Sequence, residues 1–264
     1  MQLLTMDQKE RITAVVRVPP DLGEGSYMVM STRLGEVKKT AMKAFANVRR
    51  DGIIAMDLEV SDEFVGAHLC SDDDDVMMIT ARGQAIRFAV KSLRSASRTS
   101  GGVRGIRLRS GDQVVGMEVP IEGQAILVVS ARGQGKRTPV EEYPRHGRGG
   151  QGIITFRTHP KSGDLITARM VDPEHELIFI SERGIIMRTP VKGVSLQGRP
   201  TQGVNLMDVG DDDRVAAVAV IDMSKDFSAI EVLPTGAEVK EEQGAKKPRS
   251  SKTGGNGASP KKHK

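Results

Sequence analysis

The chain has 264 residues and a formal net charge of +5; 38% of the residues are apolar and 3% are aromatic. No apolar run reaches the ~18 residues of a membrane span and the N-terminus lacks a signal-peptide pattern, so we expect a soluble, cytoplasmic protein with no membrane partner. The single cysteine, Cys70, excludes an internal disulfide, and with five scattered histidines it makes no zinc-binding pattern.

The positive charge lies mostly at the C-terminal end. Residues 231–264 contain eight Lys or Arg and four Asp or Glu, which leaves a net charge of +1 for residues 1–230. A basic surface on the folded part must therefore come from the placement of cations rather than from their excess. Residues 224–264 lack apolar periodicity, so we predict a disordered basic tail that is either a linker or a nonspecific DNA tether.

A repeat of about 50 residues organises the rest of the chain. Each copy has an apolar run, a turn glycine, and a second run with a cation four residues after the glycine. The copies occupy 27–45, 76–93, 126–143 and 177–194, with turn glycines Gly35, Gly83, Gly133 and Gly184. Two strand-like runs around a glycine turn are typical of a β-hairpin.

A glycine-containing link follows each hairpin and leads to two more strand-like runs. The links are FANVRRDGI (45–53), RTSGGVRGI (98–106), RHGRGGQGI (145–153) and LQGRPTQGV (196–204). Four strands per repeat predict an all-β, propeller-like array of about four four-stranded blades. We assign residues 1–18 to the last strand of a preceding, largely absent blade and the blades themselves to 19–70, 71–120, 121–171 and 172–223.

The combination of glycine and cations in the links has three interpretations. Residues 147–152 match G-x-G-x-x-G, but a dinucleotide site needs a strand before the motif and a helix after it, whereas Pro144 precedes this one and a strand-like run follows. A plain connector explains the glycines alone. The cations favour a DNA-backbone site, because glycine lets backbone N–H groups approach a phosphate and arginine donates two hydrogen bonds to it.

The low aromatic content favours duplex over single-stranded DNA. Single-strand binders stack bases on aromatic rings, and two tyrosines and six phenylalanines, mostly in strand-like runs, cannot form such a platform. We therefore expect phosphate contacts with a bent duplex. The candidate DNA-binding residues are Lys38, Lys39, Arg49, Arg50, Arg87, Arg98, Arg104, Lys136, Arg137, Arg145, His146, Arg148, Gly149, Gly150, Gly152, Arg188 and Arg199.

The repeat, the links and the stretches GVRGIRL and GKRTPVEEYP resemble the C-terminal domain of DNA gyrase A and, more distantly, that of topoisomerase IV. The resemblance implies a β-pinwheel, a propeller-like fold whose blades exchange strands with their neighbours. It also implies a non-catalytic module that wraps duplex DNA around a basic rim. In the whole enzyme, an ATP-dependent type II topoisomerase, such a module supports negative supercoiling.

The same resemblance implies which parts lie in other chains or segments. The expected partners are the N-terminal breakage-reunion part of gyrase A and the ATPase protein of the enzyme, gyrase B, where ATP and Mg belong; no cofactor, metal or turnover is expected in this chain alone. Tyr27 and Tyr143 occupy repeat positions, so we expect them in the core or in strands rather than in catalysis.

The hallmark box of the family, Gln-Arg-Arg-Gly-Gly-Lys-Gly, belongs to a first blade that this sequence does not show. The nearest match, 146–152, keeps Arg148, Gly149, Gly150 and Gly152 but has His146, Gly147 and Gln151 in place of Gln, Arg and Lys. DNA contact is expected there, without full closure of the wrap. Two alternatives stay open: a topoisomerase IV-type module that steers substrate choice, and a propeller-like protein-interaction scaffold.

Overall fold

The structure, a computed structural model, describes residues 12–20, 24–48 and 52–222, which fall within one unit, Met1–Lys225. All regular elements in these ranges are strands or single-turn 3-10 helices, which confirms the all-β prediction. None of these short helices could cross a membrane. The tail predicted at 224–264 lies outside the described residues, as do Arg49 and Arg50.

Each repeat begins with the predicted hairpin. The first strands are β1 (Tyr27–Thr32), β4 (Asp75–Thr80), β8 (Ala125–Ser130) and β12 (Glu176–Ser181). Their antiparallel partners are β2 (Glu36–Ala41), β5 (Gln84–Ala89), β9 (Gln134–Pro139) and β13 (Ile186–Pro190). The 3-10 helices η1 (Met42–Phe45), η2 (Val90–Ser92), η3 (Val140–Glu142) and η4 (Val191–Gly193) follow. All four turn glycines have positive φ, from 76° to 91°, which explains glycine at these positions.

The two later strands of a repeat join different blades. The fourth strands pair with the first strand of their own hairpin: β3 (Phe64–Cys70), β7 (Val114–Glu118), β11 (Leu165–Val171) and β15 (Val215–Ile221). The third strands pair with the second strand of the preceding hairpin: β6 (Val103–Arg104), β10 (Ile153–Ile154) and β14 (Val204–Asn205). Blades therefore exchange strands with their neighbours, as the pinwheel resemblance implied.

Strand exchange corrects the prediction at both ends of the array. The last sheet has three strands, β13-β12-β15, because no exchanged strand lies on β13 in the described chain. The third run of the first repeat, 53–57, is not a strand, and neither is 12–18, which was predicted to close a preceding blade. The reason is the same for both: equivalent runs pair with strands of a preceding blade, which the described residues do not contain.

The core lies between blades, so the first strand of a central blade is buried on both faces. All six residues of β4 are buried. Val76 and Met78 pack with Val29 of the preceding blade, whereas Met77 and Ile79 pack with the following blade. Alternate side chains of one strand thus serve two cores. Cys70 lies in the first of these cores, where burial raises the pKa of its thiol to about 12, as expected of an inert buried thiol.

The exchanged strands also correct the alignment of the links. Val103, Ile153 and Val204 occupy the same place on the preceding hairpin, so the equivalent of 145–153 in the second repeat is 95–103, not 98–106. The N–H groups of Ala96, His146 and Gln197 confirm this register, since they donate to the carbonyls of Lys39, Arg87 and Arg137 at 2.8, 2.7 and 2.9 Å. The corrected register makes Arg98, Arg148 and Arg199 equivalent.

Candidate nucleic-acid interface

The links of the four repeats lie side by side and are joined by backbone hydrogen bonds. We call them the link row: residues 52–57, 95–107, 145–157 and 196–208. Asp57 N–H donates to the Ser100 carbonyl at 3.0 Å, Arg107 N–H to that of Gly150 at 2.7 Å, and Arg157 N–H to that of Thr201 at 2.9 Å. The same bond thus recurs at each step, which makes the link row one continuous edge.

The three equivalent arginines, Arg98, Arg148 and Arg199, emerge from this edge. Arg148 is exposed and the other two are half-buried. Arg148 also meets exposed Arg104 of the preceding link, because its Nη1 donates to the Arg104 carbonyl at 3.2 Å. In the described part of the chain, none of these four arginines takes part in an ion pair. Their charge is therefore not neutralised by a neighbouring carboxylate.

Two further cations of the link row were not among the sequence candidates. Arg107 and Arg157 are exposed and equivalent, and their N–H groups make the bonds that join one link to the next. The sequence signal was an arginine five residues after Gly102 and Gly152. It was hidden because the second link was aligned on Gly105 instead of Gly102.

The cation four residues after each turn glycine is held by the protein itself. Lys39 pairs with Asp72 at 2.6 Å and lies 4.6 Å from the ring centroid of Tyr27. Arg188 pairs with Glu176 across its hairpin. Arg137 donates to the carbonyls of Val194 and Lys192 instead. These contacts assign Lys39, Arg137 and Arg188 a place in the packing of the blades as well as a positive charge.

Asp75 is a buried carboxylate that joins a blade to the next link. Only 3% of its side chain is exposed, and its Oδ2 accepts hydrogen bonds from Arg87 Nε at 2.7 Å and from Arg145 Nε at 3.1 Å. The side chain of Arg145 is 54% exposed. Neutralisation by Asp75 leaves Arg145 less attractive to a phosphate than Arg148, its neighbour in the same link.

Lys38 and Lys136 are corrected from rim cations to interior ones. They are 2% and 0% exposed, because the link segments that contain Arg98 and Arg199 lie over them and accept hydrogen bonds from their ammonium groups. Burial lowers the pKa of Lys38, with Arg98 acting in the same direction and Asp57 opposing. Burial also lowers the pKa of Lys136 to about 8, with Glu142 opposing and Arg199 acting in the same direction. Neither ammonium can reach a phosphate from its buried position.

The pKa of Lys136 predicts how stability depends on pH. Between about pH 8 and its ordinary pKa of 10.5, the unfolded chain holds a proton that folded Lys136 has lost, so the free energy of unfolding rises with pH. Lys136→Met lacks this group. From about pH 7.5 to pH 10, we therefore expect the free energy of unfolding of the wild type, measured in urea, to increase by about 1 to 3 kcal/mol relative to that of Lys136→Met. Lys161→Met, at an exposed lysine, is the control and should track the wild type; a parallel profile for Lys136→Met would contradict the prediction.

The candidate glycines of the third link have two different roles. A Cβ on Gly152 would lie 2.4 Å from the Ala85 carbonyl oxygen, so this glycine permits the exchanged strand β10 to approach β5. Gly149 and Gly150 have no neighbour closer than 3.5 Å to a Cβ and remain partly exposed beside Arg148. His146 is exposed as well. Tyr143 is 2% exposed and Tyr27 begins β1, which confirms that both are core or strand residues.

Comparisons with known proteins agree with this architecture. The family described as DNA gyrase C-terminal domain, beta-propeller, matches residues 26–71, 74–120, 124–172 and 175–222. The DNA gyrase A protein of Dehalogenimonas lykanthroporepellens is 39% identical over 227 residues, or 84% of this chain and 28% of the relative. The DNA gyrase A protein of Salmonella typhimurium is 36% identical over 218 residues, which are 83% of this chain and 25% of the relative. The chain spans about a quarter of the length of these relatives.

Two solved structures share the fold. A DNA gyrase A C-terminal domain has a TM-score of 0.73 and 25% identity and covers 83% of this chain and 73% of its own. The C-terminal domain of a DNA topoisomerase IV has a TM-score of 0.77 at 22% identity and covers 83% of this chain and 69% of its own. This second match shows a likeness of fold alone. The matched repeats coincide with the hairpins and exchanged strands described above. The chain belongs to the DNA gyrase A C-terminal domain family.

Proposed function

We propose that this chain binds duplex DNA along the link row and wraps it, as the non-catalytic C-terminal module of a gyrase A protein. The observation that supports this most directly is the recurrence of Arg98, Arg148 and Arg199 at equivalent places on one edge, without ion pairs in the described structure. Arg104, Arg107 and Arg157 add to the same edge. Cations that recur at equivalent places along one edge are suited to contact with successive phosphates of a duplex.

The energetics require that several of these contacts act together. Bending ~20–30 base pairs by 40–90° costs on the order of 1–6 kcal/mol, which one phosphate contact does not offset. With ~6–10 phosphate contacts, affinity is expected to fall ~10³–10⁵-fold between 50 and 200 mM salt. Because this edge has glycines and few aromatic rings, it is better suited to contact with the DNA backbone than to base stacking.

The proposal extends to the assembly in which the module works. The N-terminal breakage-reunion part of gyrase A and the ATPase protein gyrase B, with ATP and Mg, are the proposed partners, and the bacterial cytoplasm, with the chromosome, is the proposed location. Presenting a wrapped segment to the cleavage part gives strand passage a direction. This chain then contributes to negative supercoiling without catalysing a step itself.

A second candidate is a topoisomerase IV-type module that holds DNA and steers substrate choice without tight wrapping. It is favoured by the departures from the hallmark box at His146, Gly147 and Gln151. The scaffold alternative predicts no binding beyond that of any protein of the same net charge.

Topology-resolved wrapping tests the proposal. Relaxed circular plasmid is incubated with the purified chain, treated with a type I topoisomerase, stripped of protein and separated on a gel. We expect a shift in linking number that grows with the amount of protein, because a chiral wrap stores superhelical turns. Its sign reports the handedness of the wrap.

Two other outcomes separate the alternatives. Retarded mobility without a linking-number change would favour the topoisomerase IV-type module over wrapping. No binding even at low salt would overturn both DNA functions and favour the scaffold. A non-basic protein of similar size serves as the negative control for the gel.

A further inference from the structure

Two of the four hairpins carry a buried lysine three residues after the turn glycine. Lys38 and Lys136 are 2% and 0% exposed. The other two hairpins have Ile86 and Met187 at this position. The fold therefore does not require a lysine there, although burying an ammonium is costly unless its donors are satisfied.

Both ammonium groups donate to the main chain of the next link. Lys38 Nζ contacts the carbonyl oxygens of Ala55, Arg98 and Ser100 at 2.9, 2.6 and 2.8 Å. Lys136 Nζ contacts the carbonyl oxygen of Arg199 at 2.7 Å and also that of Gly198. The shared acceptor is the carbonyl of the equivalent link arginine, Arg98 or Arg199.

The link carbonyls that accept from the buried lysine point into the blade, and this fixes the direction of the N–H groups that follow them. The peptide bonds are trans, so the N–H that follows an inward carbonyl points the opposite way. The carbonyls of Arg98 and Ser100 thereby direct the N–H groups of Thr99 and Gly101 toward solvent, and both residues are exposed. Among the described residues neither N–H has a hydrogen-bond acceptor. The Arg98 guanidinium donates through Nη1 to the Ile54 carbonyl at 2.6 Å, and its other N–H groups join these two in a set of donors suited to a phosphate.

At Arg199 the lysine is part of a clamp. The Arg199 carbonyl is held by Lys136, its N–H donates to Glu142 Oε2 at 3.0 Å, and its guanidinium lies 5.9 Å from the ring centroid of Tyr143. Tyr143 is itself fixed by a hydrogen bond between its hydroxyl and Thr155. The main chain and the direction of the Arg199 side chain are thus both set from inside the blade.

We propose that Lys38 and Lys136 are positioning residues of the DNA interface, which hold the links so that Arg98 and Arg199 present their donors to phosphodiester groups. The proposal rests on the DNA-binding function proposed above. It differs from a direct phosphate contact, because the ammonium groups stay buried and act through the link arginines. It also accounts for a lysine where the fold accepts isoleucine or methionine.

A double-mutant cycle tests it in the full chain. Affinity for a short duplex is measured by fluorescence anisotropy for the wild type, Lys136→Met, Arg199→Ala and the double variant. Methionine is the residue that the last hairpin has at this position. We expect Lys136→Met to weaken binding about fivefold alone and less than about twofold in the Arg199→Ala background, because a positioning residue has no effect once its target is absent.

Lys161→Met is the matched control: it removes one charge from an exposed loop and should leave affinity within about twofold of the wild type. An equal loss with and without Arg199, or no loss for Lys136→Met, would overturn the proposal. If circular dichroism shows that Lys136→Met does not fold, the same cycle is run with Lys38→Ile and Arg98→Ala. Isoleucine is the residue that the second hairpin has at this position, Ile86. No duplex binding by the wild type would instead refute the proposed function, and this inference with it.

Discussion

Replacing Arg98, Arg148 and Arg199 together with alanine should weaken duplex binding by about 100-fold or more at moderate salt, because three charge-assisted phosphate contacts are lost. The plot of log affinity against log salt concentration should become shallower by about 3, close to one unit per contact. The three residues are equivalent members of the link row and have no ion pair in the described structure. Fluorescence anisotropy at several salt concentrations measures both quantities.

The matched control removes three charges from elsewhere on the surface. Lys91, Lys161 and Lys192 are exposed, lie outside the link row and, like the test arginines, have no ion pair among the described residues. Their alanine variant has the same net charge as the test variant and should lose little affinity and keep the salt slope. Equal losses in the two variants would mean that net charge, rather than the link row, determines binding.

Gly133→Ala should destabilise the chain by about 3 kcal/mol or more, because the turn glycine is also a contact point for the exchanged strand. Its φ is +78°, and a Cβ at this position would lie 2.0 Å from the main-chain carbonyl oxygen of Met207 in the next repeat. Backbone cannot move aside as the end of a side chain can, so β14 would have to leave the edge of β9. Urea unfolding followed by circular dichroism measures the change.

Gly184→Ala provides the comparison within the same molecule. Gly184 occupies the same turn of the last hairpin with φ +84°, but nothing lies within 4 Å of its Cβ position, since no exchanged strand covers β13 in the described structure. Only the strain of a left-handed alanine remains, about 1 kcal/mol. Equal destabilisation by the two substitutions would contradict a contribution from strand exchange.

The hairpins and the all-β class were predictable because their signals are local. A glycine between two strand-like runs favours a hairpin turn with positive φ, as at Gly83 and Gly133. The exchanged strands are only two residues long, and Val103–Arg104 pair with a strand far away in sequence. Gly102-Val103 and Gly105-Ile106 are both glycine followed by a β-branched residue, so only the pairing with β2 could fix the register.

The candidate interface was predictable in charge but not in exposure. Lys38 and Lys39 are neighbours on β2 and face opposite sides, yet both are buried. Links of the first two repeats cover Lys38, and the following blade covers Lys39. Arg145 and Arg148 look alike in sequence, but only the structure shows that Asp75 pairs with Arg145. Solvent access and partner contacts depend on residues from other repeats, which local patterns do not contain.

Because of strand exchange, the four strands of one blade do not all come from the same sequence repeat. In the described chain, the second and third repeats each donate one short strand to the blade before them and accept one from the repeat after them. Inserting or deleting a whole repeat would therefore leave each internal edge matched to a strand of the same kind, while a cut between two repeats would leave one sheet without its exchanged strand. Arrays built in this way can change length in evolution by unequal recombination without exposing new sheet edges, which are sites of aggregation.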